Sequence, residues 1–367
     1  MRINSALVAG SLLGGAVAQA AQNFLGFNSG ATLDDSRPKQ ESDFLAEFQA
    51  AKKLPGTQGK FTAVRLFTTR EPKTKDKPIA AFSAAVKTNT SILLGVWASG
   101  TQSIADEISA MNKAIEQHGK ELTDLIVGCS IGSEDVYRSS ELGKKNKAGV
   151  GATPDAIVGF IKEWRDAFNE SAIRNVPVGH VDTWDVWPTP EMKPLIDAVD
   201  WIGLDAYSYY TSDQDNDITN IVALFDESYS STQRVSGGKP IWLTEIGWPS
   251  SGDKWNNGIP SIKNAKYFWD TIGCGKLFNK MPTFWYILRD SNPENKMKFA
   301  ISDKSNLEKP LFDLSCPAQS GSGFDSNTTV ATSSRPNIDS VRGAAVQQRA
   351  SIVVFAGVVL ASAFSVL

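Results

Sequence analysis

The stretch IVGCSIGSEDVYR, residues 126–138, is an apolar run that stops on two adjacent carboxylates. The run is continuous rather than alternating, which is the pattern of a parallel strand buried on both faces. Glu134 and Asp135 follow it directly, and a charged side chain placed there needs a structural or chemical reason. The stretch therefore predicts a buried parallel strand that delivers a carboxylate to one end of a sheet.

Seven further apolar runs alternate with amphipathic helical patterns along the chain. The predicted strands are residues 23–28, 63–68, 92–98, 125–132, 176–183, 201–207, 241–245 and 283–288. Helical spacing fills most gaps, for example after Pro154, where Ile157 and Ile161 recur four residues apart. Eight strand-then-helix units predict an α/β fold of the (β/α)8 TIM-barrel class, forming a single domain over residues 21–316. A doubly wound sheet is the alternative.

The two ends of the sequence differ from its middle in composition. Residues 1–20 combine one Arg, an apolar run and an A-x-A site, which predicts a secretory signal peptide. Residues 317–343 are rich in Ser, Thr, Gly and Asn and predict a disordered spacer. Residues 344–367 predict the signal for a GPI lipid anchor, attached at Gly343 or Ser340, with a transmembrane helix as the alternative. We therefore expect a secreted protein held at the outer face of the cell membrane or in the cell wall.

Cysteines and glycosylation triplets are compatible with secretion. Cys129 lies in an apolar run and is expected to be a buried free thiol. Cys274 and Cys316 lie outside the predicted strands and are expected to form a disulfide, with three free thiols as the alternative. The candidate N-glycosylation sites are Asn89, Asn169 and Asn327.

Charge and motif content argue against several classes of function. The net charge is −3 and no basic run stands out, so we expect no nucleic acid partner. With two His, and with no H-E-x-x-H, paired C-x-x-C or EF-hand pattern, no metal site is predicted. No G-x-G-x-x-G follows a strand, so no dinucleotide and no other cofactor is expected.

Residues 128–132 also fit the G-x-S-x-G pattern of serine hydrolases, with Ser130 at its centre. That chemistry needs a strand-turn-helix elbow that exposes the serine, and a histidine further along the chain. The sequence after this stretch is loop-like, and His180 is the one histidine downstream. We therefore interpret Ser130 as a small strand residue.

Two glutamates occupy the position that barrel enzymes use for catalysis, the carboxyl end of a strand. Glu134 follows the fourth apolar run, and Glu245 ends the seventh, in KPIWLTEIGWPSSG. Two carboxylates facing each other across a barrel mouth are the apparatus of glycoside hydrolysis. A strand-end acid paired with Lys or Arg is the alternative for each glutamate alone, but the combination favours a site that cleaves sugars.

Aromatic residues fall near the predicted strand ends, as a sugar site requires, because sugar rings stack their apolar faces on aromatic planes. They are Trp97, Trp184, Trp187, Tyr207, Tyr209, Tyr210, Trp248 and Trp285. From this set, the residues predicted to contact substrate are Trp184, Tyr207, Trp248 and Trp285. Core packing is the alternative, and it is the expectation for Trp201 and Trp242.

Six motifs together resemble one enzyme family. They are FLGFNSG, VRLF, VGCSIGSEDVYR, GLDAYSYY, WLTEIGWPSSG and FWYILRDSNPENKMKFAISD. The chain resembles glycoside hydrolase family 17, the β-1,3-glucanases, and within it the fungal cell-wall branch with a lipid anchor. The resemblance implies a (β/α)8 barrel and net retention of configuration. It also implies Glu134 as acid/base and Glu245 as nucleophile, with Arg65 and Tyr207 orienting the nucleophile.

Ser133 is the departure from this pattern that bears on the chemistry. The wider clan has Asn immediately before the acid/base, where it bonds the sugar 2-hydroxyl, and we expect the shorter Ser133 hydroxyl to make that contact through water. The resulting hypothesis is a monomeric endo-1,3-β-glucosidase that acts on cell-wall glucan by double displacement. A β-1,3-glucanosyltransferase on the same site and a catalytically silent wall-binding protein are the alternatives.

Overall fold

A closed eight-stranded barrel forms the centre of the chain in a computed structural model, which describes residues 23–211, 213–292 and 295–318. All neighbouring strands are parallel, and β1 closes the barrel against β8. The strands are β1 (Leu25–Asn28), β2 (Ala63–Arg65), β3 (Ser91–Val96), β4 (Ile126–Ser133), β5 (Val178–Thr183), β6 (Trp201–Ala206), β7 (Ile241–Ile246) and β8 (Thr283–Trp285). The predicted (β/α)8 class is confirmed.

Helices lie outside the barrel and connect its strands. They are α1 (Glu41–Lys53), α2 (Ala81–Thr88), α3 (Ala105–Thr123), α4 (Asp135–Ser139), α5 (Glu141–Lys145), α6 (Pro154–Phe168), α7 (Lys193–Ala198), α8 (Ile221–Val235) and α9 (Ile262–Phe268). A π-helical segment, Trp269–Leu277, continues α9. Helix α6 shows why such segments fold: the Thr153 hydroxyl accepts the Ala156 N–H at 3.2 Å, and Pro154 stands in the first turn.

The barrel interior is a packed core rather than a pore. Its side chains are Ala63, Leu93, Val181, Trp201, Trp242 and Phe284. The rings of Trp201 and Trp242 stack at 4.3 Å with an interplanar angle of 11°, so both tryptophans are core residues, as expected. Glycine is required opposite them, because a Cβ on Gly179 would lie 2.4 Å from the Trp201 ring. The packed interior leaves the carboxyl ends of the strands as the place for a site.

Two local features differ from the sequence prediction. Helix α4 follows Glu134 at once, where a loop was predicted, because the Asp182 carboxylate of β5 accepts the N–H groups of its first turn. After the barrel, β9 (Ser302–Asp303) and β10 (Asn306–Pro310) form an antiparallel pair that was not predicted. Ser130 lies inside β4 and bonds the Leu94 carbonyl at 3.2 Å, so it stands on no exposed elbow.

The predicted disulfide between Cys274 and Cys316 is present, and Cys129 is a buried free thiol. The bridge joins the π-helical segment to the chain that leaves the barrel, across 42 residues of sequence, and contributes on the order of 4 kcal/mol in the loop-entropy description. Asn89 and Asn169 are both exposed, and their glycosylation stays a prediction.

Several sequence predictions lie outside the described residues. They are the signal peptide at 1–20, nearly all of the spacer at 317–343, Asn327, the attachment residue Gly343 and the anchor signal at 344–367. Within the part of the chain that the structure describes, no helix has the length and apolar character needed to cross a membrane.

Candidate active site

Glu245 lies near the carboxyl end of β7, where two side chains hold its carboxylate. Arg65 Nη1 donates to Glu245 Oε1 at 2.6 Å, and Tyr207 Oη donates to Oε2 at 2.6 Å. Burial and the nearby Glu245 charge raise the pKa of Tyr207 well above its ordinary value, so the phenol keeps the proton it donates. Arg65 and Tyr207 therefore hold the carboxylate as the sequence resemblance implied, one donor to each oxygen.

Arg65 is fully buried and links four strands at the rim of the barrel. Besides Glu245, Nη1 donates to Asn28 Oδ1 at 2.9 Å and Nη2 donates to Ser133 Oγ at 2.9 Å. The Asn28 amide in turn donates to the carbonyl of Thr244 at 3.0 Å. A guanidinium offers several donors in one rigid plane, so this single side chain sets the spacing of β1, β2, β4 and β7.

The Ser133 hydroxyl is part of this network. Because its oxygen accepts from Arg65, its own hydrogen remains available for donation. The serine therefore already has a structural role, tying the end of β4 to the Arg65 guanidinium. Its predicted contact with a sugar 2-hydroxyl stays a prediction.

Glu134 is the first residue after β4 and adopts a left-handed backbone, with φ of 55° and ψ of 26°. Its side chain is buried, with Arg138 Nη2 3.4 Å from Oε2. Burial raises the pKa of Glu134 to about 8; the Arg138 charge opposes the rise and the Glu245 charge adds to it. Glu134 therefore carries a proton at neutral pH beside the carboxylate that Arg65 holds. Paired carboxyl groups with such different environments divide into an acid and a nucleophile.

Asp135, the rival carboxylate, has a structural position. Its Oδ2 accepts the Ser133 N–H at 2.7 Å and its Oδ1 accepts the Ser99 hydroxyl at 2.5 Å. Both oxygens are thus used to brace the turn after β4. This leaves Glu134 as the carboxyl group of the pair that is placed for chemistry.

Comparison with known proteins identifies the family. Residues 26–302 match the BtgE/BtgC glycoside hydrolase domain, a stretch that contains both Glu134 and Glu245. The chain belongs to this glycoside hydrolase family. The match also supports the resemblance to glycoside hydrolase family 17 that the sequence motifs indicated.

Curated relatives carry glucanase names. A probable glucan endo-1,3-β-glucosidase of Aspergillus oryzae is 47% identical over 294 residues, covering 80% of this chain and 63% of the relative. The Aspergillus fumigatus protein of that name is 46% identical and covers 81% of this chain and 66% of the relative. This glycoside hydrolase chain thus spans less than two thirds of the length of these relatives.

Solved structures share the barrel. The family 17 β-1,3-glucanosyltransferase of Rhizomucor miehei superposes with a TM-score of 0.64 at 18% identity, over 80% of this chain and 98% of that one. A β-1,3-glucanase and allergen of Cryptomeria japonica pollen gives a TM-score of 0.58 at 15% identity, over 80% and 99%. At these identities the likeness establishes the fold.

Two of the predicted substrate contacts in this glycoside hydrolase domain are corrected by the structure. Trp285 is 2% exposed, with its ring 4.8 Å from that of Trp269 and 5.8 Å from that of Phe268. Trp248 is equally buried and donates its Nε1–H to the Ile259 carbonyl at 3.1 Å. Neither ring has a free face on which a sugar can stack, so both are core residues. Trp184 is partly exposed and stays a candidate.

Three residues of the site were missed in the sequence. Tyr286, next to Trp285, is buried with its ring 5.9 Å from that of Tyr207, and burial together with the Glu245 charge raises its pKa well above the ordinary value. Asp205 pairs with Glu245 in the sheet, and burial, then the Glu245 charge, raises its pKa likewise. Trp255 packs beside these residues, with its ring 5.8 Å from that of Tyr210, and its Nε1 is buried with no hydrogen-bond partner among the residues described.

The raised pKa of Glu134 predicts a pH dependence of stability. Because the pKa of Glu134 is higher in the folded protein than in the unfolded chain, burying this group costs no stability below about pH 4.5. The free energy of unfolding then decreases as pH rises from there toward about 8. The loss is on the order of 3 kcal/mol at pH 7, since one pKa unit is about 1.4 kcal/mol. Glu134→Gln should therefore raise the thermal unfolding temperature at pH 8 by several degrees and change it little at pH 4.5.

Calorimetry across this pH range measures the effect, with the exposed Glu141→Gln on α5 as the matched control. The control is expected to leave the pH dependence as it is in the wild type. An equal shift for Glu134→Gln at both pH values would contradict the assigned pKa.

Proposed function

We propose that this chain is a retaining glycoside hydrolase that cleaves β-1,3-glucosidic bonds, a glucan endo-1,3-β-glucosidase. One observation carries the proposal: a buried, proton-bearing Glu134 and a carboxylate, Glu245, held by Arg65 and Tyr207, stand at the ends of β4 and β7. This is the division of roles that double displacement requires. The names of the curated relatives support β-1,3-glucan as the substrate.

In the first step, an oxygen of Glu245 attacks C1 of a glucosyl unit. The bond from C1 to the O3 of the next unit breaks, and Glu134 gives its proton to that oxygen as it leaves. Arg65 and Tyr207 hold the attacking carboxylate in position, which lowers the entropic cost of reaching the transition state.

In the second step, Glu134 acts as a base. Esterification of Glu245 removes a negative charge that helps to raise the pKa of Glu134, so that pKa falls and the group can exist as a carboxylate. Glu134 takes a proton from water, the water oxygen attacks C1, and the ester bond to Glu245 breaks. Two inversions at C1 give net retention.

Product analysis on laminari-oligosaccharides of defined length tests the proposal. We expect shorter products whose first-formed reducing ends are β-anomers by proton NMR. In H2(18)O each cleavage should place one labelled oxygen at the new reducing end. First-formed α-anomers would contradict retention. Products longer than the substrate would indicate the glucanosyltransferase, and glucan binding without any product would indicate the silent wall-binding protein.

We also propose that the enzyme acts outside the cell, anchored to the membrane and directed at cell-wall glucan. The support is the pair of apolar segments and the polar spacer in the sequence, which lie almost wholly outside the described residues. Release of the protein from intact cells by a phosphatidylinositol-specific phospholipase is the expected result. Retention of all activity on treated cells would argue against the lipid anchor.

A further inference from the structure

His180 is a fully buried histidine on β5 that the proposed mechanism does not use. Its Nδ1 lies 2.7 Å from the Ile131 carbonyl oxygen, and its Nε2 lies 3.1 Å from Asp182 Oδ2. A carbonyl oxygen and a carboxylate oxygen are both acceptors, so each ring nitrogen must donate a hydrogen. This geometry fits the imidazolium form and neither of the neutral tautomers.

The surroundings of His180 support the charged form. Burial by itself lowers the pKa of His180, but the hydrogen bond to Asp182 and the charges of Asp182 and Asp135 outweigh it and raise that pKa above the usual value. The edge of the Trp187 ring, with centroids 5.8 Å apart, packs against the imidazole. A buried polar network whose hydrogen bonds are all made is rigid and holds its members in one arrangement.

The His180–Asp182 pair forms hydrogen bonds with the backbone on both sides of Glu134. Upstream, the imidazole holds the Ile131 carbonyl. Downstream, Asp182 Oδ2 accepts the Val136 N–H at 3.0 Å, and Oδ1 accepts the next N–H of helix α4 at 3.3 Å. The two side chains are joined to each other, so the start and end of this turn are tied to one buried ion pair.

The turn needs such support because its backbone is unfavourable. Glu134 has a φ of 55°, a left-handed conformation that is unfavourable for a residue with a side chain. Gly132 has a φ of 80°, and a Cβ there would lie 2.3 Å from Asp135 Oδ2 and 3.2 Å from His180 Cε1. The Glu134 N–H donates to the Val181 carbonyl at 2.8 Å, between the two members of the pair.

We propose that His180, paired with Asp182, is a positioning residue for Glu134: the pair holds the left-handed turn that aims the acid/base carboxyl at the leaving oxygen. The inference rests on the proposed function, because it concerns the proton transfer assigned to Glu134. The inference makes its own prediction about the His180 variants, since His180 contacts neither Glu245 nor the bond that is cleaved.

Leaving-group dependence tests the positioning role. A sugar oxygen needs a proton in order to leave, whereas dinitrophenolate does not. In His180→Asn the amide can replace the donor to Ile131 but cannot reach Asp182, and His180→Gln is the converse. For both variants we expect kcat/KM on laminari-oligosaccharides to fall by about 10²-fold, the size expected of a displaced catalytic group. On 2,4-dinitrophenyl β-laminaribioside, kcat/KM should change less than about threefold, because that step bypasses the acid.

His118→Asn is the matched control, because His118 is the other of the two histidines and lies on α3, where it contacts Ser83. This variant should have the wild-type kcat/KM on both substrates. The concentration of folded sites in each variant is measured by trapping with 2-deoxy-2-fluoro-laminaribiosyl fluoride, so that a loss of folded protein does not imitate a loss of positioning.

The outcomes separate the two proposals. Suppose that Glu134→Ala shows the split, which means that it loses activity on laminari-oligosaccharides and keeps the first step on the dinitrophenyl glycoside. If the His180 variants then lose activity on both substrates equally, the positioning role is wrong and the proposed function stands. If Glu134→Ala shows no split, the proposed function itself fails. Should the variants not fold, 15N-histidine NMR of the wild-type enzyme decides: His180 should show two ring N–H groups at pH 7.5, and a single protonated nitrogen would overturn the inference.

Discussion

Glu245→Ala is expected to lower kcat on laminari-oligosaccharides by at least about 10⁴-fold, because the variant lacks the oxygen that attacks C1. Glu245→Gln should be equally inactive, although its amide oxygen can still accept from Arg65 while its NH2 group donates to the Tyr207 hydroxyl oxygen. Comparing the two separates lost chemistry from lost structure, since both variants remove the charge of Glu245 but the alanine variant also removes the oxygen that accepts from the buried Arg65. Steady-state kinetics and thermal unfolding on the same preparations provide both measurements.

Added azide gives a sharper test of the nucleophile. In Glu245→Ala the small anion can occupy the space of the missing carboxylate and attack C1 once, so that an activated β-glycoside yields an α-glycosyl azide. Glu191→Ala, at an exposed glutamate, is the control and should cleave glucan like the wild type without forming azide products. A β-configured azide from Glu245→Ala, or glucan cleavage at the wild-type rate, would show that the nucleophile is another residue.

Glu134→Ala is expected to lower kcat/KM on laminari-oligosaccharides by about 10³-fold, the middle of the range for a general acid. The reason is that the O3 leaving group would depart as an alkoxide without the proton that Glu134 carries up to about pH 8. On 2,4-dinitrophenyl β-laminaribioside the first step should remain, because that leaving group needs no proton. The release of dinitrophenolate, followed in a stopped-flow instrument, measures it.

Glu134→Ala should also slow the second step, in which water attacks the glycosyl ester of Glu245. Without a base to activate water, the ester of Glu245 is expected to accumulate, and azide should resolve it to a β-glycosyl azide, the opposite configuration to that from Glu245→Ala. Glu141→Ala, an exposed glutamate seven residues further on, is the control. Equal losses on the sugar and dinitrophenyl substrates would contradict Glu134 as the acid and, with it, the proposed mechanism.

Strand order and the two glutamates could be predicted because they depend on local patterns. Several strands are continuous apolar runs, and the carboxyl ends of all parallel strands in a barrel meet at one rim whatever the loops between them do. A carboxylate immediately after such a run therefore reaches the rim, and this reasoning located Glu134 and Glu245 without knowledge of any contact.

The sequence did not predict which side of a strand each side chain points to, and the continuous apolar pattern is the reason. A strand buried on both faces has no alternation of polar and apolar residues, so its sequence does not say which residues point inward. The sequence analysis therefore named Trp285 as a substrate contact, although Trp285 packs in the core and its neighbour Tyr286 lies near Glu245. Trp248 lies beyond the end of β7, where no strand pattern indicates which side chains are buried.

The sequence by itself determined the barrel, the order of its strands and the presence of one glutamate at the end of each of two of them. The tertiary structure alone decided how the oxygens of Asp135 are used, how Arg65 joins Glu245 to Ser133, and why both nitrogens of His180 carry hydrogens. These properties depend on burial and on distances between side chains far apart in the chain. Local sequence patterns determine where the strands and the two glutamates lie. The contacts and protonation states of the site are set by partners that only the closed barrel brings together.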